Sequence, residues 1–158
     1  MNGYLQWYTH NFLDARTNCS LVEHYWGTHR KRLPPRAQQI LDAWHESYAA
    51  VCEVMRVEKG IGVEMRNVAS DEILFVTDVT FSREAVVGEW TLSRFEFLDG
   101  RWQLVSDGFR VQPGLEPRLL EYIKVEARAA RETADQFIRR NGNRLYRVLV
   151  RLGRPTVQ

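Results

Sequence analysis

Three side chains that could bind a metal ion follow one another at equal spacing near the start of the chain. Cys19, His24 and His29 lie five positions apart, and thiolate and imidazole groups are ligands that zinc prefers. On a helix, each step of five residues turns the side chain about 140° beyond a full turn, so the three would not share one face. Structural zinc sites also take their ligands in close pairs. The spacing therefore favours surface or packing roles over a metal site.

A second candidate for chemistry is an acid–base pair. His10 and Asp14 lie four residues apart in a segment with helical periodicity, which suits proton transfer. The same spacing also produces an ordinary interaction on a helix surface. No serine or cysteine lies in a recognisable nucleophile turn. An enzyme, here an unrecognised hydrolase, therefore ranks third among the functions, and it would need a pocket that gathers His10, Asp14 or His45 with shifted pKa values.

Two further patterns indicate turns rather than ligand sites. The acids Asp71, Glu72 and Asp78 flank a predicted strand, where solvated turn residues are commoner than magnesium ligands. Gly60 and Gly62 lack the third glycine, or the Gly-Lys-Ser/Thr ending, that a phosphate-binding loop requires. They lie between two alternating segments and predict a tight reversal. No cofactor is expected.

Positive charge is concentrated in two segments. Residues 137–155 hold six arginines and no carboxylate, and residues 30–36 form a short basic loop. Lys and Arg number 12 against 15 Asp and Glu in residues 1–115, but 10 against 5 in residues 116–158. Each guanidinium group can bind a phosphate bidentately, which lysine does less well. The residues predicted to contact a nucleic acid or an acidic partner are Arg30, Lys31, Arg32, Arg139, Arg140, Arg144, Arg147 and Arg151.

The last predicted helix separates charge from apolar surface. Arg144, Arg147 and Arg151 share one face, and Leu145 and Leu149 lie on the other. The leading hypothesis is a non-catalytic binding or adaptor protein that contacts nucleic acid or a nucleoprotein complex through this face. One alternative is a protein–protein adaptor that docks the amphipathic helix of residues 143–152 in a partner's groove. The other is an inert face whose arginines pair with the chain's own acids.

The elements that must position these residues are predicted from the hydrophobic period. Residues 1–48 show helical spacing, beginning with an aromatic stripe at Tyr4, Trp7, Tyr8 and Phe12. Residues 49–112 alternate with period two and include the hairpin signal Asp99-Gly100. Residues 116–152 return to helix, with a break expected at 141–143. The prediction is an α+β fold in a single domain of residues 1–158: N-terminal helices, a five-stranded antiparallel small barrel or curled sheet, and C-terminal helices.

Composition limits the class of protein. The hydrophobic fraction of 44% is that of a folded chain, and no apolar run reaches the ~18–20 residues that a membrane-spanning helix needs. The first residues lack the basic and apolar regions of a secretory signal. The two cysteines fit reduced thiols better than a disulfide framework. These features predict a cytoplasmic protein that does not contact a membrane, and they leave its oligomeric state open.

Three phrases carry a family resemblance. They are "YLQWYTHNF", "LPPRAQQILDAWHESYAAVCEVMRVEKGIGVEMRNVASDE" and "VVGEWTLSRFEFLDGRWQLVSDGFRV". Between Tyr4 and Val111 the chain resembles the central region of bacterial proteins that contain a SEC-C motif. Those proteins carry a Cys-rich zinc motif at one end, and this sequence has only Cys19 and Cys52, so the resemblance implies no zinc here. It implies a bacterial or phage-related intracellular origin and no particular reaction.

Overall fold

A small β-barrel lies between N-terminal and C-terminal helices in the chain. The computed structural model describes residues 9–10, 12–105 and 108–152. The helices are α1 (Leu21–His29), α2 (Pro35–Glu46), α3 (Val79–Glu84), α4 (Glu116–Ala130) and α5 (Ala134–Leu152), with a 3-10 helix at Arg30–Arg32. The strands are β1 (Tyr48–Glu58), β2 (Gly62–Asn67), β3 (Ile73–Val76), β4 (Trp90–Leu98), β5 (Arg101–Leu104) and β6 (Phe109–Arg110). The aromatic residues Tyr4, Trp7 and Tyr8 of the predicted stripe lie outside the described residues.

Five strands close into a ring. β1 pairs antiparallel with both β2 and β4, β2 with β3, and β4 with β5. A parallel pairing between β3 and β5, at Val76 and Trp102, completes the ring, and the short β6 adds to β4. The predicted fold class is confirmed, although the barrel is mixed rather than wholly antiparallel.

The segment "EILFVTDVTF", residues 72–81, has the apolar character of one continuous strand, but the structure divides it. The strand ends at Val76, and the carboxylate of Asp78 accepts a hydrogen bond of 2.8 Å from the backbone N–H of Phe81. This cap starts helix α3, because it satisfies a backbone donor that the first turn leaves unpaired. Phe81 and Ala85 are buried with the barrel core. The residues predicted to extend the strand therefore belong to a helix that packs against the barrel.

Alternate residues of the strands fill the barrel. Gly62 permits one close contact, because a Cβ atom at this position would lie 2.3 Å from the carbonyl oxygen of Val76. Hydrogen-bonded strands at this separation leave no room for a methyl group. The buried interior side chains from the strands are Ala50, Cys52, Val54, Val63, Met65, Leu74, Val76 and Phe95.

A second core lies between the outside of the barrel and the C-terminal helices. Val51 of β1 and Leu92 of β4 face α4 and α5 there. Helix α5 bends at Asn141, where φ is −118° and ψ is 23°, as the sequence led us to expect. Gly142 follows the bend, and a Cβ atom there would lie 2.7 Å from the Cβ atom of Ala49. The helix side of this core is formed by Leu119, Ile123, Ala127, Phe137, Ile138, Leu145 and Leu149.

The N-terminal helices pack together and then on β4. Ser20 and Glu23 form a reciprocal capping box that starts α1. The indole N–H of Trp26 donates to Asp42 at 2.8 Å, which joins α1 to α2. Arg94 of β4 donates to the carbonyl oxygen of Ser47 at 2.8 Å, which holds the end of α2 on the barrel. Among the described helices, none has the length and apolarity to cross a bilayer.

Candidate binding surface

Burial of one side of α5 fixes the direction of its arginines. Leu145 and Leu149 are 0% and 1% exposed, so the opposite side of the helix must face solvent. Arg144, Arg147 and Arg151 follow one another there at spacings of three and four residues, which places them on one face, and the exposed Arg140 precedes them just before the bend at Asn141. We name this surface the C-terminal basic face, and its members are Arg140, Arg144, Arg147 and Arg151.

Two members of the C-terminal basic face form ion pairs within the chain. Arg140 pairs with Glu132, and a nitrogen of Arg144 lies 2.8 Å from a carboxylate oxygen of Glu126. The side chains of Arg140 and Arg144 remain 73% and 47% exposed. Their carboxylate partners are more enclosed, since the side chains of Glu132 and Glu126 are 12% and 28% exposed. An arginine that left its pair would leave a partly buried acid unpaired, so Arg140 and Arg144 are less available to another molecule.

The other two members of this face have no partner among the described residues. Arg147 and Arg151 are exposed, and within the part of the chain that the structure describes neither forms an ion pair or a hydrogen bond. Among the described residues, no acid therefore offsets their charge. They are the members best placed to meet an anion that belongs to another molecule.

Arg139, which the sequence also assigned to the surface, has a structural role. Its Nε atom donates to Asp135 at 2.6 Å, and its guanidinium carbon lies 3.7 Å from the ring centroid of Tyr48. Asp135 also accepts a hydrogen bond of 2.9 Å from Asn67. Burial raises the pKa of Tyr48 to about 12, so the ring stays neutral beneath the cation. These contacts join α5 to β1 and β2.

Two of the four cations in the basic loop of residues 30–36 are neutralised by acids. Arg30 donates to both oxygens of Asp42 at 2.5 Å, and these hydrogen bonds hold the pKa of Asp42 at about 2. Arg36 forms a bidentate pair with Asp99 at 2.5 and 2.7 Å. Lys31 and Arg32 of this loop are exposed, and neither forms an ion pair among the described residues.

The two basic segments do not form one site. Arg36 is tied to Asp99, just beyond the end of β4. Tyr146 of α5 instead packs edge-on against Phe109, with ring centroids 5.2 Å apart, and Phe109 pairs with Leu92 near the start of β4. Seven residues of strand separate Leu92 from Asp99, which is about 23 Å. Each segment must be considered by itself.

The cysteine and histidines at equal spacing do not converge. The thiol of Cys19 donates to the carbonyl oxygen of Thr17 at 3.4 Å, and the ring of His29 stacks on Tyr25 at a centroid distance of 4.6 Å. Across residues 9–10, 12–105 and 108–152, no group of three or more His, Cys, Asp and Glu side chains could hold a metal ion.

The candidate acid–base pair of His10 and Asp14 is not formed. The carboxylate of Asp14 accepts hydrogen bonds from the backbone N–H groups of Arg16 and Thr17, at 2.8 and 3.2 Å. His10 packs edge-on against Trp44 instead, with ring centroids 5.7 Å apart. The third candidate, His45, stacks on Trp26 at 4.2 Å. The structure therefore does not gather these groups in a common pocket.

A buried carboxylate was not singled out from the sequence. Glu96 of β4 is 7% exposed, and one of its oxygens accepts a hydrogen bond of 3.1 Å from Gln103. The other oxygen has no hydrogen-bond partner in the part of the chain that the structure describes, and burial raises the pKa of this carboxyl group. The only signal in the sequence is an acid inside the strand "WTLSRFEFL", at a position that faces away from the barrel interior.

Glu96 should make the stability of the protein depend on pH. A carboxyl group whose pKa is raised by folding binds more protons in the folded state, so its contribution to stability is lost as pH rises through the folded pKa. We expect Glu96→Gln to be more stable than the wild type at pH 7, by about 1 kcal/mol, and the gain to shrink towards pH 4. Thermal melts of both proteins from pH 4 to 8 measure this difference.

The stability of Glu96→Gln must be compared with that of the wild type at each pH, because the titration of His10 changes stability in the opposite direction. Burial and the charge of Arg94 lower the pKa of His10 to about 4, so its contribution makes stability rise between pH 4 and 6.5. This contribution is common to the wild type and Glu96→Gln and cancels in their difference. A difference in melting temperature that is constant over the whole pH range would show that Glu96 does not titrate as expected.

Comparisons with models of protein families, with curated proteins and with solved structures find no match to this chain. The resemblance to the central region of SEC-C proteins therefore stays a prediction.

Proposed function

We propose that this protein is a non-catalytic nucleic-acid-binding protein and that the C-terminal basic face contacts the phosphate backbone. The single observation that carries the proposal is the exposure of Arg147 and Arg151, on one side of a packed helix and without a partner in the described chain. Guanidinium groups held in this way form bidentate hydrogen bonds with phosphate oxygens.

The charge of the surrounding surface supports a polyanion. Residues 116–152 contain nine Lys and Arg against five Asp and Glu, a balance of +4. Only Lys124 among the nine is a lysine. The part of the basic face beyond the bend, from Arg144 to Arg151, spans about 11 Å of helix, which is about three phosphates along a strand at about 3.4 Å each.

The burial of α5 counts against a protein adaptor that docks its apolar side. That mode requires Leu145 and Leu149 to enter a partner's groove, and both are already buried in this chain's second core. To present these two leucines to a partner, the helix would have to leave the barrel, and the second core would lose their packing. The exposed arginines do not impose this cost, so we favour a ligand that meets them directly.

Binding should weaken steeply as salt is added. We expect the protein to bind a fluorescent 20-nucleotide oligonucleotide, single-stranded or duplex, at 50 mM salt. Affinity should fall by about tenfold or more at 200 mM salt, because each phosphate that is neutralised releases counterions. Fluorescence anisotropy measures both affinities. The proposal fails if no binding occurs at 50 mM salt, or if affinity does not change with salt.

A further inference from the structure

Helix α1 leaves an apolar stripe exposed to solvent. Leu21 and Tyr25, four residues apart on the same face, are 48% and 41% exposed, whereas Val22 and Trp26 turn towards α2 and the barrel. Leu13, which pairs with Ser20 beside the start of α1, is 50% exposed. Exposed apolar side chains that lie together are typical of a surface that binds another molecule.

A cavity lies at the start of this stripe. It has a volume of about 440 Å³, within the range of ligand pockets, and its apolar wall includes Leu21 and Phe12. The segment between Leu13 and Ser20 forms another wall, held by a hydrogen bond of 3.0 Å between the N–H of Asp14 and the carbonyl oxygen of Cys19. The cavity offers a recess for one apolar side chain of a partner.

Positive charge stands at one end of the stripe, where Lys31 and Arg32 follow α1. Both side chains are exposed, and neither forms an ion pair among the described residues. The cavity end is not positive, because Arg16 lies 3.9 Å from the carboxylate of Asp14 and the exposed Glu23 adds a second acid there. A partner that matches this pattern therefore carries acids at the end that meets Lys31 and Arg32.

We infer that the surface formed by Leu21, Tyr25, Lys31 and Arg32 docks an acidic amphipathic helix of a protein partner. The nine residues of α1 extend about 14 Å, which matches about two and a half turns of a helix laid along it. One apolar side chain would enter the cavity, others would cover Leu21 and Tyr25, and Asp or Glu residues at one end of the partner helix would meet Lys31 and Arg32. Helices bind apolar grooves through such anchors one turn apart, and complementary charge fixes their orientation.

A peptide selection tests this inference. A displayed library of random 16-residue peptides is selected against the full chain, with Leu21→Ser/Tyr25→Ser as the counter-selection target. We expect enriched peptides to have apolar residues at positions i, i+3 or i+4, and i+7, with Asp and Glu beside them. Their affinity should fall by about tenfold or more on Leu21→Ser/Tyr25→Ser and on Lys31→Glu/Arg32→Glu.

The controls separate docking from a change in fold. Val86→Ser/Val87→Ser alters an apolar pair that is 62% and 61% exposed elsewhere, and it should leave peptide affinity within about twofold of the wild type. If the serine pair in α1 does not fold, the charge-reversed pair decides, since both of its side chains are exposed.

Three results would overturn the inference. The first is a selection that enriches no peptide. The second is a set of enriched peptides that bind the α1 variants as tightly as they bind the wild type. The third is the loss of oligonucleotide binding, without loss of peptide binding, when Lys31 and Arg32 are reversed, since that would make this surface part of a nucleic-acid site. Arg147→Glu/Arg151→Glu should leave peptide binding unchanged, so the inference and the proposed function can fail separately.

Discussion

Ending the chain after Gly142 is expected to leave a protein that does not fold. The deletion removes Leu145 and Leu149, two side chains that are 0% and 1% exposed in the second core. Losing a buried leucine costs about 2–5 kcal/mol, and whole domains are stable by only about 5–15 kcal/mol. It also uncovers Leu92 and Val51 on the outside of the barrel. Circular dichroism and a thermal melt should show no cooperative transition.

Point variants show whether the buried leucines or the exposed arginines of this segment stabilise the fold. Leu145→Ala should remain folded and lose about 2–5 kcal/mol, whereas Arg147→Ala, on the exposed side of the same helix, should change stability by less than about 0.5 kcal/mol. A truncated protein that melts cooperatively near the wild-type temperature would contradict the account of α5 as part of the core. It would also restore the alternative in which this helix is free to dock on a partner.

Arg147→Glu/Arg151→Glu is expected to lower affinity for nucleic acid by about a hundredfold at 50 mM salt, because two cations that contact phosphates become anions that repel them. Both side chains are exposed and outside the core, so the melting temperature should stay close to that of the wild type. Anisotropy titrations with the same oligonucleotide measure the loss of affinity.

A matched control changes the net charge equally at other places. Lys59→Glu/Arg101→Glu reverses two exposed cations, one in the β1–β2 turn and one at the start of β5. We expect this pair to weaken binding by about threefold or less, through long-range attraction alone. Equal losses in the two double variants would mean that binding depends on net charge and not on the C-terminal basic face.

Local pattern in the sequence predicts most of the barrel. Alternation and turn residues predict the strands, since side chains on a strand point alternately inward and outward. The closure of the ring depends on residues that are far apart in the sequence. It depends on one parallel pairing between Val76 and Trp102, and on Asp78, which ends the apolar run early and starts a helix. A single sequence gives no signal for which distant strands meet.

The site is predicted less completely, for a related reason. Helical periodicity correctly separates the arginines of α5 from its buried leucines. The ion pair of Arg139 with Asp135 follows from a spacing of four residues. The pairing of Arg144 with Glu126, however, depends on how α4 folds back on α5. Such contacts between elements decide which cations remain available, and only the structure distinguishes Arg147 and Arg151 from the rest.

The most direct test of phosphate contact is the salt dependence of a neutralised variant. The logarithm of the affinity is plotted against the logarithm of salt concentration for the wild type and for Arg147→Gln/Arg151→Gln. If each arginine neutralises one phosphate, the slope of the variant should be shallower by about 1.4–1.8, which is two contacts at about 0.7–0.9 each. Two parallel lines would contradict the account, since they would show that neither arginine displaces counterions from the nucleic acid.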